Sequence, residues 1–373
     1  MLLIVTQMIH IKKKLMICLV FFSKIEISSN FMIYEAFVRL IASASSIRPS
    51  NSNHFIVINT ILKELVDNHN LKGMFHSSTI FSIFKCSKIC LLFLLEEGVI
   101  NISFVENLLL NLPSNKRDLY VWFSFFFPEI KKANPEFYEM QAAKLCITEE
   151  RIFQENHVKN IEEFYKARKL GHSVDEIAQI IQKDDLESFM TLVTKNENFN
   201  FNSTVENSIF ENDNDVLSRK VYLVEYVMAF HSFNIFKYLL LNNVKFFQNS
   251  INFAIIGGNY EIIHILEEEL NITFDLNNYF LSIRYHYPEI ADYLLTTTNF
   301  GVSCKYFRQE FFRNNNYKYI YNLLKDPLKY DLILEDLSSI YYAQATNSTD
   351  LIFLLIHYIL LNKIDEKYSM MDV

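Results

Sequence analysis

Glu261-Ile-Ile-His264 is the only Glu-x-x-His in this 373-residue chain. On a helix that spacing puts both side chains on one face, as di-iron bundles require. Such a centre also needs a second copy of the motif and two further inward carboxylates. With no second copy, the pair also reads as one solvated helix face. Cys86-Ser-Lys-Ile-Cys90 sets two thiols one helical turn apart. Zinc needs two more ligands, and redox pairs use the shorter Cys-x-x-Cys. Small buried residues on an apolar helix account for both cysteines. Asn101, Asn202, Asn271 and Asn347 each open an Asn-x-Ser/Thr acceptor, which matters only in the secretory pathway. No P-loop, Gly-x-Gly-x-x-Gly, His-Glu-x-x-His or Gly-x-Ser-x-Gly occurs, and six glycines leave little material for a phosphate cradle. These residues predict no enzyme, no catalytic residue, no cofactor and no metal.

Composition narrows the class further. Half of the residues are apolar (50%), so a large core is within reach. Gly and Pro number six each, too few for the turns of a β-sandwich or barrel. Helices joined by Asn-rich turns fit better. A net charge of −8 argues against a general nucleic-acid binder. Cys18, Cys86, Cys90, Cys146 and Cys304 are an odd, scattered set with no disulfide framework. A reducing compartment, the cytoplasm, is the expectation.

The elements that position everything else are paired helices. Tyr226–Leu241 and Phe253–Glu267 share one grammar: a short apolar helix, a tight turn, then a second amphipathic helix. Aligned on one apolar position of the second helix, the pattern recurs at Phe189, Phe236, Ile263, Ala291, Ile320 and Ile352. The spacings are 47, 27, 28, 29 and 32 residues. The long first interval marks an insertion near Asn196–Asn214, crowded with Asn, Asp and Glu. One such hairpin cannot bury its own apolar face, but stacked neighbours can. His231, Gly257, Gly258 and Asn259 fall in the turns, His231 as a possible hydrogen-bonder to the neighbouring turn.

Ala254–Leu266 (Ala-Ile-Ile-Gly-Gly-Asn-Tyr-Glu-Ile-Ile-His-Ile-Leu) resembles the helix pair of an ankyrin repeat. The run from Phe125-Phe-Phe-Pro-Glu-Ile-Lys131 through Gly171-His-Ser-Val-Asp-Glu-Ile-Ala178 to Leu240 resembles divergent ankyrin proteins of parasitic protists. In these an all-helical region of unknown function precedes degenerate repeats. The resemblance covers roughly residues 55–360. It departs from the family in lacking Thr-Pro-Leu-His and in placing His231 and Asn243 where Gly is usual. It implies a protein-binding scaffold, with Asn242, Asn243, Lys245, Phe246 and Phe247 in or beside a turn near where the family contacts partners, while packing between repeats is the stronger reading of Phe246-Phe247. It also puts His264 on the exposed side of its helix.

The expectation is therefore an all-α protein, a solenoid of stacked helical hairpins that is ankyrin-like in its C-terminal half. Residues 1–33 form a loosely ordered or apolar segment, 34–172 a helical region, and 173–367 the degenerate repeats. Lys12-Lys-Lys14 ahead of Leu15–Phe22 has the outline of a signal peptide, too short to span a bilayer. A membrane-associated or secreted effector is the alternative this segment leaves open, a start of translation at Met16 or Met32 is its other reading, and a helical metalloenzyme at Glu261 and His264 is the remote alternative. Residues 354–361 offer a route to self-association.

Local signals complete the reading. Ser43–Asn53 suggests a linker. Helices are expected over Asn59–Val66, over Ser78–Leu95 with Gly98 as a left-handed cap, and over Phe104–Leu112 behind a capping box Ser103–Glu106. Pro113 stops the last of these. Asp118–Phe127 should end at Pro128-Glu129, Asn134-Pro135-Glu136 should start a helix, and Thr148–Leu170 should run unbroken to Gly171. Ser173–Glu176 reads as a second capping box. The expected N-terminal hairpins pair 78–97 with 104–112 and 118–127 with 135–145.

Overall fold

The computed structural model describes residues 22–24, 26–46, 54–112, 116–213, 216 and 220–297. The basic run 12–14, most of 15–22, the linker residues 47–53, Pro113, Cys18, Cys304, Asn347, the repeat positions Ile320 and Ile352, and residues 354–361 lie outside the described residues. Among the described residues the fold is all-α, with one two-stranded ladder.

The first ten helices are α1 (Phe31–Ser45), α2 (His54–Asn68), α3 (Leu71–Met74), α4 (Ser77–Phe84), α5 (Lys88–Glu96), α6 (Ser103–Asn111), α7 (Lys116–Ala133), α8 (Pro135–Leu145), α9 (Glu149–Glu155) and α10 (Ile161–Leu170). They share one core, in which Leu62, Phe84, Leu91, Phe123, Phe126 and Phe164 are wholly enclosed. Phe22 and Ile27 belong to it too, with Phe22 edge-on to Phe37 at 4.6 Å. Of the segment 1–33, expected above to be loosely ordered or apolar, Phe22 and Ile27 are thus buried by apolar packing.

Several helix ends differ from the sequence reading. The single helix expected over Ser78–Leu95 is two, because Ser87 is extended and its hydroxyl caps Cys90 N–H. Asn160 likewise breaks Thr148–Leu170, accepting from Glu163 N–H at the start of α10. The expected box at Ser103 does not form. Asn101 accepts from Ser103 N–H instead, at 2.9 Å. The cap of the next region falls on Asp175 rather than Ser173. Hairpin partners shift as well: α4 packs on α5, and α6 on α7, while the pairing of α7 with α8 holds.

Pro128 does not end α7, which continues to Ala133. Proline has no N–H for the carbonyl four residues back, and its ring crowds that turn. One carbonyl further along, Arg168 of α10, 1% exposed, braces the same turn. It donates to the Phe125 carbonyl at 2.9 Å and grips Glu129 with two bonds of 2.7 and 2.8 Å. Asn134 and Pro135 start α8 as the sequence indicates, and Gly98 and Gly171 turn the chain with φ of 63° and 78°.

Four helix pairs follow: α11 (Glu176–Gln182) with α12 (Leu186–Lys195), α13 (Leu223–Ala229) with α14 (Phe233–Leu241), α15 (Asn252–Gly257) with α16 (Tyr260–Glu268), and α17 (Leu276–Arg284) with α18 (Pro288–Thr297). The first helices touch in sequence order, α11 to α13 to α15 to α17, and so do the second helices α12, α14 and α16. Phe189, Phe236, Ile263 and Ala291, the aligned positions, are each 0% exposed. Five residues before each stands a residue with positive φ: Asp184 (50°), His231 (62°), Gly258 (67°) and His286 (58°). Asn243, after α14, is also left-handed at 53°. His231 and Asn243 thus hold the conformation that glycine adopts with least strain.

Between α12 and α13 the chain makes strand β1 (Thr204–Val205), paired antiparallel with β2 (Val221–Tyr222). From 206 to 213 it runs as a strap without regular structure. Ile209 and Phe210 enter the core of α1–α10, whereas Val205 and Val216 on either side join the core of the hairpins.

Candidate interaction surface and the buried strap

Helix pairs at a fixed register present their turns as a row. Each turn here is tied to its neighbour. Asp184 accepts from Asn234 N–H and Ile235 N–H, both at 3.1 Å, and so caps α14 from the preceding hairpin. Ser232 Oγ donates to the Ile181 carbonyl. His231 Nδ1 lies 3.2 Å from the Gly257 carbonyl, and Tyr287 Oη donates to the Ile256 carbonyl at 3.3 Å. Asn259, 3% exposed, caps α16 by accepting from Glu261 N–H at 2.9 Å. Gly257 is required by contact: a Cβ there would lie 1.9 Å from the Met228 carbonyl oxygen. At Gly258 a Cβ would strike the Tyr287 ring at 2.4 Å.

The turn after α14 carries the residues singled out for partner contact. Asn242 is half-buried and donates to the Tyr238 carbonyl at 2.8 Å. Asn243 and Lys245 are exposed, and Lys245 N–H is held by Asn202 Oδ1 at 2.8 Å. Phe246 turns inward, with its ring 6.2 Å from Phe236. Phe247 is 46% exposed and stacks on Tyr222 at 4.8 Å, and Leu241 beside the turn is 82% exposed. The five residues thus divide: Asn243, Lys245 and Phe247 face solvent, Asn242 and Phe246 brace them. Leu241 was missed, because its place in an apolar Leu-Leu-Leu run reads as core.

The residues with metal or thiol chemistry are dispersed. Glu261 is exposed, and His264 is half-buried rather than exposed. Its ring sits edge-on to Tyr293 of the next hairpin at 5.1 Å. Cys90 is buried, and burial pushes its thiol up to about 12. Cys86 is half-buried, its thiol also pushed up by burial. Among the described residues no group of three His, Cys, Asp or Glu side chains is placed to hold a metal ion.

The strap holds the densest buried polar cluster, in a stretch the sequence presents only as a polar insertion. Glu211, Asn212 and Asp213 are 2%, 3% and 4% exposed. Glu211 takes His172 Nδ1 at 2.9 Å on one oxygen and the Tyr226 hydroxyl at 3.4 Å on the other. Lys88 Nζ donates to the Glu211 carbonyl at 2.8 Å. Asn212 donates to the Ser45 carbonyl at 2.8 Å, and Asp213 accepts from the Tyr285 hydroxyl at 2.9 Å. Buried polar groups stay folded only when paired, and the partners here come from α1, α5, α13, the turn after α10 and the cap of α17. The cavity beside Glu211, Ser173, Ser208 and Tyr226 has a volume of about 10 Å³, room for a water at most. The cluster fastens the strap to both cores. The one sequence signal for it is Ile209-Phe210, an apolar pair in a polar stretch.

No helix among the described residues is long and apolar enough to cross a membrane. Comparisons of the chain with protein-family models, with curated proteins and with solved structures found no match.

Proposed function

We propose that this chain is a non-catalytic protein-interaction scaffold, its C-terminal part a solenoid of degenerate ankyrin-like hairpins. The two rows of helices in sequence order, and one left-handed turn position repeated four times, support the ankyrin-like reading. Stacking units extends a surface without deepening a cleft, which suits binding a protein more than enclosing a small substrate. The observation that carries the binding assignment is the turn after α14. Leu241 and Phe247 expose apolar surface there beside the ammonium of Lys245 and the amide of Asn243. An aromatic anchor ringed by polar groups is the usual make-up of an interface hot spot.

The test is paired capture. Wild-type chain and a Lys245→Ala/Phe247→Ala variant are immobilised and their bound proteins compared by mass spectrometry. Lys245 is at the surface and Phe247 stacks on Tyr222, so the variant should lose about 1 kcal/mol, and its fold is checked beside the wild type. A protein held by the wild type and lost from the variant supports the assignment. Identical captured sets on a folded variant contradict it.

A further inference from the structure

We propose that the strap and Lys88 form a proton-sensitive latch between the α1–α10 core and the hairpins, closed when the amine is neutral and loosened when it is charged. Lys88 is 4% exposed, and the Glu211 carbonyl of the strap is the one hydrogen-bond acceptor its amine has among the described residues. A buried ammonium has three donors and a full charge to satisfy. One carbonyl and the face of Phe125, 5.7 Å away, leave it short. Opening the strap readmits water to the amine, so charging Lys88 favours the open form.

The groups around Lys88 fix the sense of the effect. From α7 it faces Asp118, and from the strap Glu211, and both carboxylates favour the charged amine. Glu211 is itself engaged by His172 and Tyr226, and Asp213 by Tyr285. On α2, Lys63 and Glu64 pair with Glu97 and His69, and His54 bonds the Ala44 carbonyl. Helix α4 carries no charge. Burial outweighs the two carboxylates and pushes the Lys88 amine down to about 7, from 10.5. The opened chain keeps its proton up to about pH 10.5 and the closed chain only to about 7. Opening therefore takes up a proton between these values, and the closed form gains up to about ten-fold per pH unit as pH rises. Below about 7 both forms are protonated and the cost of burial is constant. Above about 9 the buried Cys86 and Cys90 thiols act in the opposite sense, since burial raises both from 9.0. The clean window is pH 7 to 9.

The experiment is hydrogen exchange by mass spectrometry on the full chain from pH 6 to 9, corrected for the intrinsic pH dependence of exchange. Protection of amides 205–213 should rise several-fold per pH unit between 7 and 9 in the wild type and be level in Lys88→Met. Level protection in the wild type, or the same slope in Lys88→Met, overturns the proposal. A carbon-13 titration of lysine Cε in the wild type gives a second reading that needs no variant. One lysine titrating near 7 is expected, and all lysines titrating near 10.5 would refute the latch.

Discussion

In residues 176–297 Asp184, His231, Gly258 and His286 share one backbone conformation, each five residues before a fully enclosed side chain, and Asn243 and Asn271 are left-handed after the second helices. Among the described residues of 22–174 the left-handed positions are Glu26, Asn70, Gly98, Cys146, His157 and Gly171, and no interval between neighbours repeats. Both regions bury large apolar cores. The difference lies in how the burial is organised. A repeated interval lets each hairpin reuse its neighbour's solution, so the turn can be read from the sequence by alignment. The irregular region solves each contact once, with long-range partners such as Arg168 on Glu129.

The comparison can be broken in order of expected effect. If the two cores differ in organisation but not in tightness, Phe123→Ala and Phe236→Ala should each cost about 3–5 kcal/mol in denaturant unfolding, since both rings are 0% exposed. A loss below about 1 kcal/mol at Phe236 would mean that the hairpins are loosely packed. Gly257→Ala should cost about 2 kcal/mol or more, because its methyl would meet backbone between α15 and α13. Gly98→Ala faces open space, with Lys72 Nζ 3.8 Å away. It should cost about 1 kcal/mol, from its φ of 63° alone. Equal losses at the two glycines would remove the case for close hairpin stacking.

Smaller effects sharpen the contrast between a cap inside one helix and a cap shared between hairpins. Asn160→Ala and Asp184→Ala should each lose about 1 kcal/mol. Only Asp184→Ala should raise hydrogen exchange at the start of the following hairpin's α14, because its carboxylate serves Asn234 and Ile235. The smallest perturbation is chemical labelling of the native chain. Among the described cysteines Cys146 is exposed and Cys90 enclosed. A thiol reagent at pH 7.5 should modify Cys146 first and leave Cys90 unmodified until the chain unfolds, as peptide mapping can check.

What the sequence made legible follows from where the information is local. Turn positions repeat, so His231, Gly258 and Asn243 stand out before any coordinates. Asn134-Pro135-Glu136 carries its own start signal. Pro128 misleads because the group that braces the turn around it, Arg168, stands forty residues away. Ser87 and Asn160 cap helices from inside periodic apolar patterns, where periodicity alone runs straight through them. The strap misleads most. Glu211-Asn212-Asp213 has the composition of a solvated loop, and only its distant partners, Lys88, His172, Ser45 and Tyr285, explain its burial. Of the residues proposed for partner contact, Lys245 and Phe247 are exposed, and Leu241, inside an apolar run, shows its exposure only in the fold.

That strap joins the regular region to the irregular one, and its coupling can be measured with a single variant. Phe210 is 0% exposed in the core of α1–α10, one residue before the Glu211 that engages Tyr226 of the hairpins. Phe210→Ala should therefore lower the unfolding midpoint seen by the fluorescence of Trp122, the single tryptophan, and lower the midpoint of hydrogen-exchange protection in 223–297 by the same amount. A shift at Trp122 with the hairpin midpoint unchanged would show that the two regions unfold independently, and the coupling through the strap would be wrong.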